Sequence, residues 1–320
     1  MFSINMLLKL LKNIGISAGI LIALFFLGNR KDIAVQELEK EYFTPQSRYV
    51  QLHDAKVHIR IRGKGSYVFL LHGSLASLHT WQAWEDTLST IFTTVSLDLP
   101  GHGLTGPNKS ENYTIDNFER LVFELADSLK VDTFSLVGNS MGGQVAWQAA
   151  LHKPDRVKNL ILIDAAGFVT AAGDQQNKDA PLIFKLLRSK HAAFTLEHIT
   201  PRWMFSLNIK QVYANPDLIT SQLIDRYYKL TLRQGNRHAT WLRFQQLQKP
   251  DVDSLNFISV PTLIIWGEED KWINIQNAHQ FKNAIRGSKL VIIPNAGHTP
   301  MEELPRESVI PVFEFLKPKH

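Results

Sequence analysis

The chain has 320 residues, of which 44% are hydrophobic and 20% charged, so it can bury a large core and does not have the composition of a disordered protein. The formal net charge is +5 at pH 7, but the basic residues are scattered and no basic and aromatic recognition motif accompanies them, which argues against a nucleic-acid partner. Cysteine is absent, which excludes disulfides, thiolate nucleophiles and cysteine metal sites.

The first apolar run spans residues 14–27, carries no charge, and is flanked by Lys12 and Arg30. The run is shorter than the roughly 20 residues that cross a bilayer, but it becomes long enough if it begins near Met6 and the lysines reach the interface. Since no small-x-small cleavage site follows, residues 1–31 favour a membrane anchor over a cleaved signal of a secreted protein. The lysines that precede the run predict that the rest of the chain lies on the extracytoplasmic (periplasmic) side.

Strand and helix patterns alternate from residue 48 onward. Residues 57–61 show the period of two that is typical of a half-exposed antiparallel strand, paired with 49–52. Amphipathic stretches such as 116–129 separate the later strands. These strands are short and almost wholly apolar, as in a parallel sheet covered on both faces: 68–71, 94–99, 134–137, 160–163, 262–266 and 290–293. The alternation predicts a doubly wound α/β fold.

One long segment, residues 167–255, interrupts the alternation. It holds no comparable strand, but it has helical patterns such as 219–232. We expect a helical cap inserted between two parts of the core, 32–166 and 256–320. Ligands of open α/β sheets bind at the carboxyl edge of the strands, so the cap should line the substrate pocket. Its large aromatic side chains suggest contact with an apolar acyl chain: Phe184, Trp203, Phe205, Tyr227, Tyr228 and Trp241.

A serine between glycines follows the strand predicted at 134–137. The sequence reads Gly138-Asn-Ser140-Met-Gly142, and a helical pattern begins at Gln144. Glycine and serine are common in ordinary turns, but this spacing between a strand and a helix is typical of a nucleophile elbow, which exposes the hydroxyl above the sheet. The adjacent helix N-terminus favours a developing oxyanion. We therefore predict that Ser140 is a catalytic nucleophile.

A serine nucleophile needs a base, and the base needs an acid that orients it. His298 and Asp270 each follow a predicted strand, so both are expected at the same edge of the sheet as Ser140. The chain order Ser, Asp, His is the one known for this kind of elbow. The neighbouring Glu268 and Glu269 are alternatives for the acid, but the Gly-x-x-Asp spacing favours Asp270.

The loop after the strand at 68–71 reads His72-Gly-Ser74-Leu75. A loop in this place supplies a backbone N–H to the oxyanion hole, and the residue after the nucleophile supplies another. We assign these donors to Ser74 and Met141, with Leu75 as the alternative to Ser74.

Three other polar residues near the sheet edge are interpreted as structural. His72 is expected to brace its loop rather than act as the base, and His102 to shape the pocket wall rather than bind a metal. Asp98 is a further candidate for the acid, but we interpret it as structural. No His-x-x-x-His pair or carboxylate cluster accompanies them, so we predict neither a metal nor a cofactor.

Five motifs together resemble the successive signatures of the α/β-hydrolase superfamily, over residues from about 48 to 316: His72-Gly73, Asp98-Leu-Pro-Gly-His-Gly103, Gly138-Asn-Ser-Met-Gly-Gly143, Gly267-Glu-Glu-Asp270 and Gly297-His298. The resemblance implies a mostly parallel eight-stranded sheet flanked by helices, with an inserted helical cap. It also implies Ser140 as nucleophile, His298 as general base and then acid, and Asp270 as its partner.

Within the superfamily, the elbow sequence and the apolar N-terminus are similar to membrane-anchored monoacylglycerol lipase-like enzymes and bacterial lipases. This similarity implies hydrolysis of carboxylic esters with apolar acyl chains. The elbow is also similar to that of the meta-cleavage-product hydrolases, which cut carbon–carbon bonds. Cofactor-free perhydrolysis by the same triad, and a binding protein that keeps the fold without turnover, are further alternatives.

Overall fold

The computed structural model describes residues 30–168, 189 and 197–317. The described part forms an eight-stranded sheet in the order β1-β2-β4-β3-β5-β6-β7-β8. The strands are β1 (Ser47–Gln51), β2 (Lys56–Arg62), β3 (Tyr67–Leu71), β4 (Thr93–Leu97), β5 (Phe134–Asn139), β6 (Val157–Ile163), β7 (Thr262–Gly267) and β8 (Lys289–Ile293). Strand β2 pairs antiparallel with both β1 and β4, and every other pairing is parallel. The sheet confirms the mostly parallel α/β fold.

The apolar runs of the parallel strands are explained by burial on both faces. In β3, Val68 and Leu70 pack in one apolar cluster, while Phe69 and Leu71 pack in another, because successive side chains of a strand point to opposite faces. All four side chains are at most 1% exposed. Helices therefore cover both faces of the sheet, and a ligand is expected at the carboxyl edge of the strands.

Ten α-helices lie within the described residues. They are α1 (Val35–Tyr42), α2 (Gln82–Leu88), α3 (Ile115–Ser128), α4 (Met141–His152), α5 (Arg202–Val212), α6 (Ser221–Thr231), α7 (Asn236–Gln245), α8 (Gln276–Ala284), α9 (Pro300–Glu303) and α10 (Pro305–Leu316). Thr114 begins α3, since its side chain accepts a hydrogen bond from the Asn117 amide. Short 3₁₀ turns occur at Leu78–Trp81, Pro216–Leu218 and Val252–Phe257.

Helices α5, α6 and α7 lie between β6 and β7, where the sequence predicts the cap. Helices α5 and α6 pack against each other through an apolar cluster that includes Phe205, Ile209 and Tyr228. Helix α1 joins the cap, because Leu38 packs with Leu230 of α6. The division of the chain into anchor, core and cap at the predicted boundaries stays a prediction.

The predicted anchor, residues 1–31, lies almost entirely outside the described residues. Among the helices that the structure does describe, none combines the length and the apolar character needed to cross a membrane. Arg30 and Asp32 contact the cap, where Arg237 donates to the Arg30 carbonyl oxygen at 2.8 Å and to Asp32 at 2.7 Å.

Two charged side chains are buried between the sheet and helix α2. Arg60 of β2 forms an ion pair with Glu85 of α2, and the two side chains are 2% and 0% exposed. Ser96 donates a hydrogen bond to Glu85 at 2.5 Å. Burial raises the pKa of Glu85, although the charge of Arg60 and the bond from Ser96 oppose that shift.

Candidate active site

The elbow is a strained turn between β5 and α4. Ser140 has φ 53° and ψ −118°, in a region that non-glycine residues rarely adopt. A Cβ atom on Gly138 would lie 2.1 Å from the Gly142 carbonyl oxygen, and one on Gly142 would lie 2.3 Å from the Leu71 carbonyl oxygen. Both glycines are therefore required by close backbone approach, as the elbow motif predicts.

Backbone hydrogen bonds hold the strained residue in place. The Ser140 amide donates to the Ile163 carbonyl oxygen at 3.0 Å. The Ser140 carbonyl oxygen accepts from Ala166 at 3.0 Å and from Gln144 at 3.1 Å. The neighbouring strand β6 and the start of α4 thus fix the elbow, which sets the direction of the serine side chain.

Asp270 and His298 meet as a buried pair. Nδ1 of His298 donates to Oδ2 of Asp270 at 2.7 Å, and the two side chains are 4% and 0% exposed. Oδ1 of Asp270 accepts from the amides of Trp272 at 2.7 Å and Ile273 at 3.0 Å. The alternative acids, Glu268 and Glu269, are both exposed, so the structure brings Asp270, and neither glutamate, to the histidine.

The backbone of His298 is held on two sides. Its amide donates to the Val212 carbonyl oxygen at 2.8 Å, and its carbonyl oxygen accepts from Nδ2 of Asn139 at 3.0 Å. Nε2 of His298 is buried without a hydrogen-bond partner among the described residues. The ring is thus oriented through Nδ1, and Nε2 remains available to a reacting group.

Ser140 and His298 line one cavity of about 40 Å³ at the carboxyl edge of the sheet. The structure shows no hydrogen bond between the Ser140 hydroxyl and His298 Nε2. The core contributes Gly73, Ser74, Leu75, Ala76, Asn139, Trp272 and Thr299 to the wall, and the cap contributes Phe205, Asn208, Ile209, Val212 and Tyr227. The described cap therefore lines the cavity, as the sequence predicts.

The aromatic residues predicted to contact an acyl chain have different positions. Phe205 and Tyr227 line the cavity. Trp203 does not line it and is 58% exposed. Tyr228 is buried within the cap, where its hydroxyl donates to the Thr200 carbonyl oxygen at 2.9 Å. Trp241 is absent from the cavity wall, and Phe184 lies outside the described residues. The helical pattern alone could not separate these roles.

The proposed oxyanion donors lie beside the cavity. Ser74 and Leu75 both line it, and neither amide makes a backbone hydrogen bond to another described residue. Leu75 has φ 61°. Met141 is the first residue of α4, so the helix provides no partner for its amide. The geometry leaves Ser74 and Leu75 open as alternatives, as the sequence does.

His72 braces its own loop. Nδ1 donates to the Gly73 carbonyl oxygen at 2.7 Å, and Nε2 accepts from the Leu99 amide at 3.0 Å. Burial lowers the pKa of His72, which favours the neutral ring that this pair of bonds requires. His102 is also buried, and burial lowers its pKa well below the usual value.

Asp98 organises the loop that follows β4. Its carboxylate accepts from the amides of Leu78 at 2.7 Å and Leu104 at 2.8 Å, and from Nδ1 of His58 at 2.7 Å. Burial opposes the charged form, but the hydrogen bond and charge of His58 outweigh it and lower the pKa of Asp98. These bonds give Asp98 a structural role.

Asp164 is a further acid at the site that the sequence analysis missed. It follows β6, is 0% exposed, and its Oδ1 accepts from the Gly267 amide at 2.9 Å. One side-chain atom each of Asp164, Asp270 and His298 lies within 4.8 Å of the others. A metal ion could be held at such a spacing, so the absence of a metal stays a prediction. Asp164 could have been identified from the sequence, because it is an acid directly after the apolar strand at residues 160–163.

A second group of contacts joins the cap to the histidine loop. Glu303 accepts from the amides of Ala214 at 2.6 Å and Gly297 at 2.9 Å. Glu302 accepts from Arg226 at 2.5 Å. The hydroxyls of Tyr227, at 3.1 Å, and Tyr213 also donate to Glu302. We call these residues, with Val212, the cap junction.

The chain is similar to known hydrolases in sequence and in fold. Monoacylglycerol lipase ABHD6 from Bos taurus is 28% identical over 294 residues, which cover 86% of this chain and 83% of the relative. The crystal structure of the protein lip1 from Acinetobacter baumannii is 25% identical, covers 90% of this chain and 97% of its own, and has a TM-score of 0.73.

A meta-cleavage product hydrolase from Pseudomonas fluorescens has a TM-score of 0.70 at 21% identity, over 82% of this chain and 94% of its own. At that identity the likeness concerns the fold. The family model for the alpha/beta hydrolase fold matches residues 67–305, which include the elbow, the cap helices and the Asp270–His298 pair. The chain belongs to the alpha/beta hydrolase fold family.

Proposed function

We propose that this protein is a serine hydrolase that cleaves carboxylic esters through an acyl-enzyme on Ser140. One observation carries the proposal: His298 is oriented by Asp270 through Nδ1, its Nε2 has no partner within the described residues, and it shares a cavity with the strained Ser140. The proposal thus assigns a nucleophile, a base and an orienting acid to residues at one edge of the sheet.

The mechanism is acyl transfer. Nε2 of His298 takes the hydroxyl proton while Oγ of Ser140 attacks the ester carbonyl carbon. The amide of Met141 and that of Ser74, or of Leu75, donate to the resulting oxyanion. When the tetrahedral intermediate collapses, the C–O bond to the alcohol breaks, and His298 gives its proton to the leaving oxygen. A water molecule, deprotonated by the same histidine, then attacks the acyl carbon. The bond to Oγ of Ser140 breaks, the carboxylic acid leaves, and His298 returns the proton to Oγ.

The cavity wall favours an apolar substrate. The large apolar side chains of the wall are Leu75, Phe205, Ile209, Val212 and Trp272. Burial of an acyl chain against them is favourable at about 25 cal/mol per Å². The relationship to a monoacylglycerol lipase agrees with lipid-like esters. We propose monoacylglycerols or similar esters as substrates.

The apolar run at residues 14–27 supports a second part of the proposal, namely attachment to a membrane. Lys9 and Lys12, which precede the run, favour an extracytoplasmic catalytic domain. Extraction of membranes with carbonate and with detergent, for the full chain and for a chain that begins at Arg30, tests the attachment. A full chain recovered without detergent would contradict it.

Labelling with a fluorophosphonate, read by intact mass, tests the nucleophile. Wild type should gain one label, Ser140→Ala none, and the control Ser128→Ala, at an exposed position at the end of α3, should label like wild type. Monoacylglycerols, short-chain esters and a meta-cleavage dienoate are assayed in parallel. Turnover of the dienoate alone would support a carbon–carbon hydrolase, and a folded wild type that neither labels nor turns over would identify a binding protein.

A further inference from the structure

The position of Asp164 is unusual for a carboxyl group. It has φ 44°, follows the last residue of β6, and is completely buried. Its own amide donates to the Ile265 carbonyl oxygen at 3.1 Å, and Oδ1 accepts from the Gly267 amide at 2.9 Å. Oδ2 is buried with no hydrogen-bond partner among the described residues. A buried polar atom without a hydrogen-bond partner lowers the free energy of unfolding, so we expect Oδ2 of Asp164 to make a hydrogen bond.

Asp164 also faces other acidic groups. Asp270, on the loop after β7, lies with His298 in the same cluster, within 4.8 Å. Burial, the charge of Asp270 and that of Glu303 on α9 all raise the pKa of Asp164, which is well above its usual value. Two carboxyl groups this close in a buried site cannot both be ionised without a large cost.

The hydrogen bonds of Asp270 leave room for one more donor. A carboxylate offers about four lone-pair sites. Three are filled, by the amides of Trp272 and Ile273 at Oδ1 and by Nδ1 of His298 at Oδ2. The remaining site is on Oδ2 of Asp270. Oδ2 of Asp164 is buried without a partner among the described residues, and one oxygen of its carboxyl group lies within 4.8 Å of one oxygen of Asp270.

We propose that Asp164 is a positioning residue that carries a proton on Oδ2 and donates it as a hydrogen bond to Asp270. The bond gives the orphaned Oδ2 a partner and fills the fourth site of the Asp270 carboxylate. It holds Asp270 in the rotamer that orients His298, and it favours the negative charge on Asp270 over that on Asp164. The inference rests on the proposed function, since it assigns Asp164 an effect on the same catalytic pair.

Two substitutions of Asp164 distinguish its proposed hydrogen bond to Asp270 from other roles of this residue. In Asp164→Asn, the side-chain oxygen can accept from the Gly267 amide, and the side-chain nitrogen can donate to Asp270. The asparagine side chain carries no charge, and asparagine tolerates the positive φ of this position. Asp164→Ala removes both groups. We expect Asp164→Asn to keep kcat/KM within a few-fold of wild type, and Asp164→Ala to lose about tenfold or more in kcat, as for a lost hydrogen bond to a charged group, with KM unchanged.

The pH profile of kcat/KM distinguishes a proton on Asp164 from a charge. A neutral Asp164 predicts that Asp164→Asn leaves the acid limb where it is in wild type. If Asp164 were ionised, its replacement would remove a negative charge near His298 and move the acid limb down by about one pH unit or more. Such a movement, or an Asp164→Ala enzyme with unchanged kcat, would overturn the proposal.

A readout that does not need turnover completes the test. The infrared difference spectrum of wild type minus Asp164→Asn at pH 7 should show the carbonyl stretch of a protonated carboxylic acid. Carboxylate bands in its place would overturn the proposal whether or not any ester is cleaved. The acid band in a wild type that cleaves no ester would support the placement of the proton and refute the proposed function alone.

Discussion

Replacement of Asp270 by asparagine should inactivate the protein without unfolding it. The asparagine Oδ1 can still accept from the amides of Trp272 and Ile273, which lie 2.7 and 3.0 Å from Oδ1 of Asp270. Its Nδ2 then faces Nδ1 of His298, where the carboxylate now accepts at 2.7 Å. If His298 kept its proton on Nδ1, two N–H donors would face each other. The imidazole therefore carries its proton on Nε2, so Nε2 can no longer take the proton of Ser140.

The size of the effect follows from the wrong tautomer. The corresponding change in serine proteases lowers kcat by about 10⁴, which is about 5.4 kcal/mol of transition-state stabilisation. We expect a loss of this order in ester hydrolysis at pH 7, measured with a chromogenic ester, and a similar loss in the rate of fluorophosphonate labelling. The melting temperature should change by only a few degrees, because each buried amide keeps its acceptor.

Two control variants test whether the effect comes from the tautomer of His298. Asp270→Ala leaves the two amides and Nδ1 without acceptors, so it should be less stable than Asp270→Asn by about 1–3 kcal/mol for each unsatisfied group. Glu268→Gln changes an exposed neighbour and should have wild-type activity. An Asp270→Asn protein that keeps more than about a tenth of the activity would refute the assignment of the acid, since the tautomer argument requires a far larger loss.

Four further predictions concern stability and specificity. Gly142→Ala should destabilise the fold by several kcal/mol in urea unfolding, because its Cβ would lie 2.3 Å from the Leu71 carbonyl oxygen; an unchanged midpoint would contradict the required close approach. Glu85→Ala should cost about 3–5 kcal/mol by leaving Arg60 buried and unpaired, and restoration by Arg60→Met in the double variant would confirm that cause. Asn208 lines the cavity and should bind a hydroxyl of the alcohol. Asn208→Leu should then raise KM up to about tenfold for a monoacylglycerol and leave KM for the methyl ester of the same acid unchanged, whereas equal effects on both esters would refute this role. Finally, the free energy of unfolding should fall as the pH drops from 7 to 5, by up to about 1.4 kcal/mol per pH unit for each histidine that is neutral only in the folded protein. The reason is that the unfolded chain protonates these histidines below about pH 6.5, whereas the folded protein keeps them neutral. A urea unfolding midpoint independent of pH would contradict this prediction. The histidines whose pKa is lowered chiefly by burial are His72, His79 and His102.

The parts of the molecule that could be predicted from the sequence depend on short local patterns. The strand before Gly138 and the helix after Gly142 identify the elbow, because both glycines are forced by contacts within a few residues or with the adjacent loop. The acid Asp270 was separable from its two glutamate neighbours by spacing alone, and the structure brings it to His298.

The features that were missed depend on contacts between segments that are far apart in the chain. Asp164 reaches Asp270 because β6 pairs with β7, although the whole cap lies between them in the chain. Asn139 is part of the elbow motif, yet its hydrogen bond to the carbonyl oxygen of His298 links two distant loops. Helix α1 is too short for a clear period, and its burial depends on contact with Leu230 of the cap. None of these pairings leaves a local sequence pattern.

The cap junction limits how this protein can be recombined with its relatives. Val212 and Ala214 belong to the cap, but they bond directly to His298 and Glu303 of the core, so the cap is part of the framework that holds the base. A chimera that exchanges the cap alone would combine one parent's Val212–Ala214 backbone with another parent's histidine loop. Transfer of substrate preference between family members therefore requires the histidine loop and α9 to move together with the cap. Directed evolution of the acyl pocket is better confined to positions such as Phe205, which line the cavity without joining that framework.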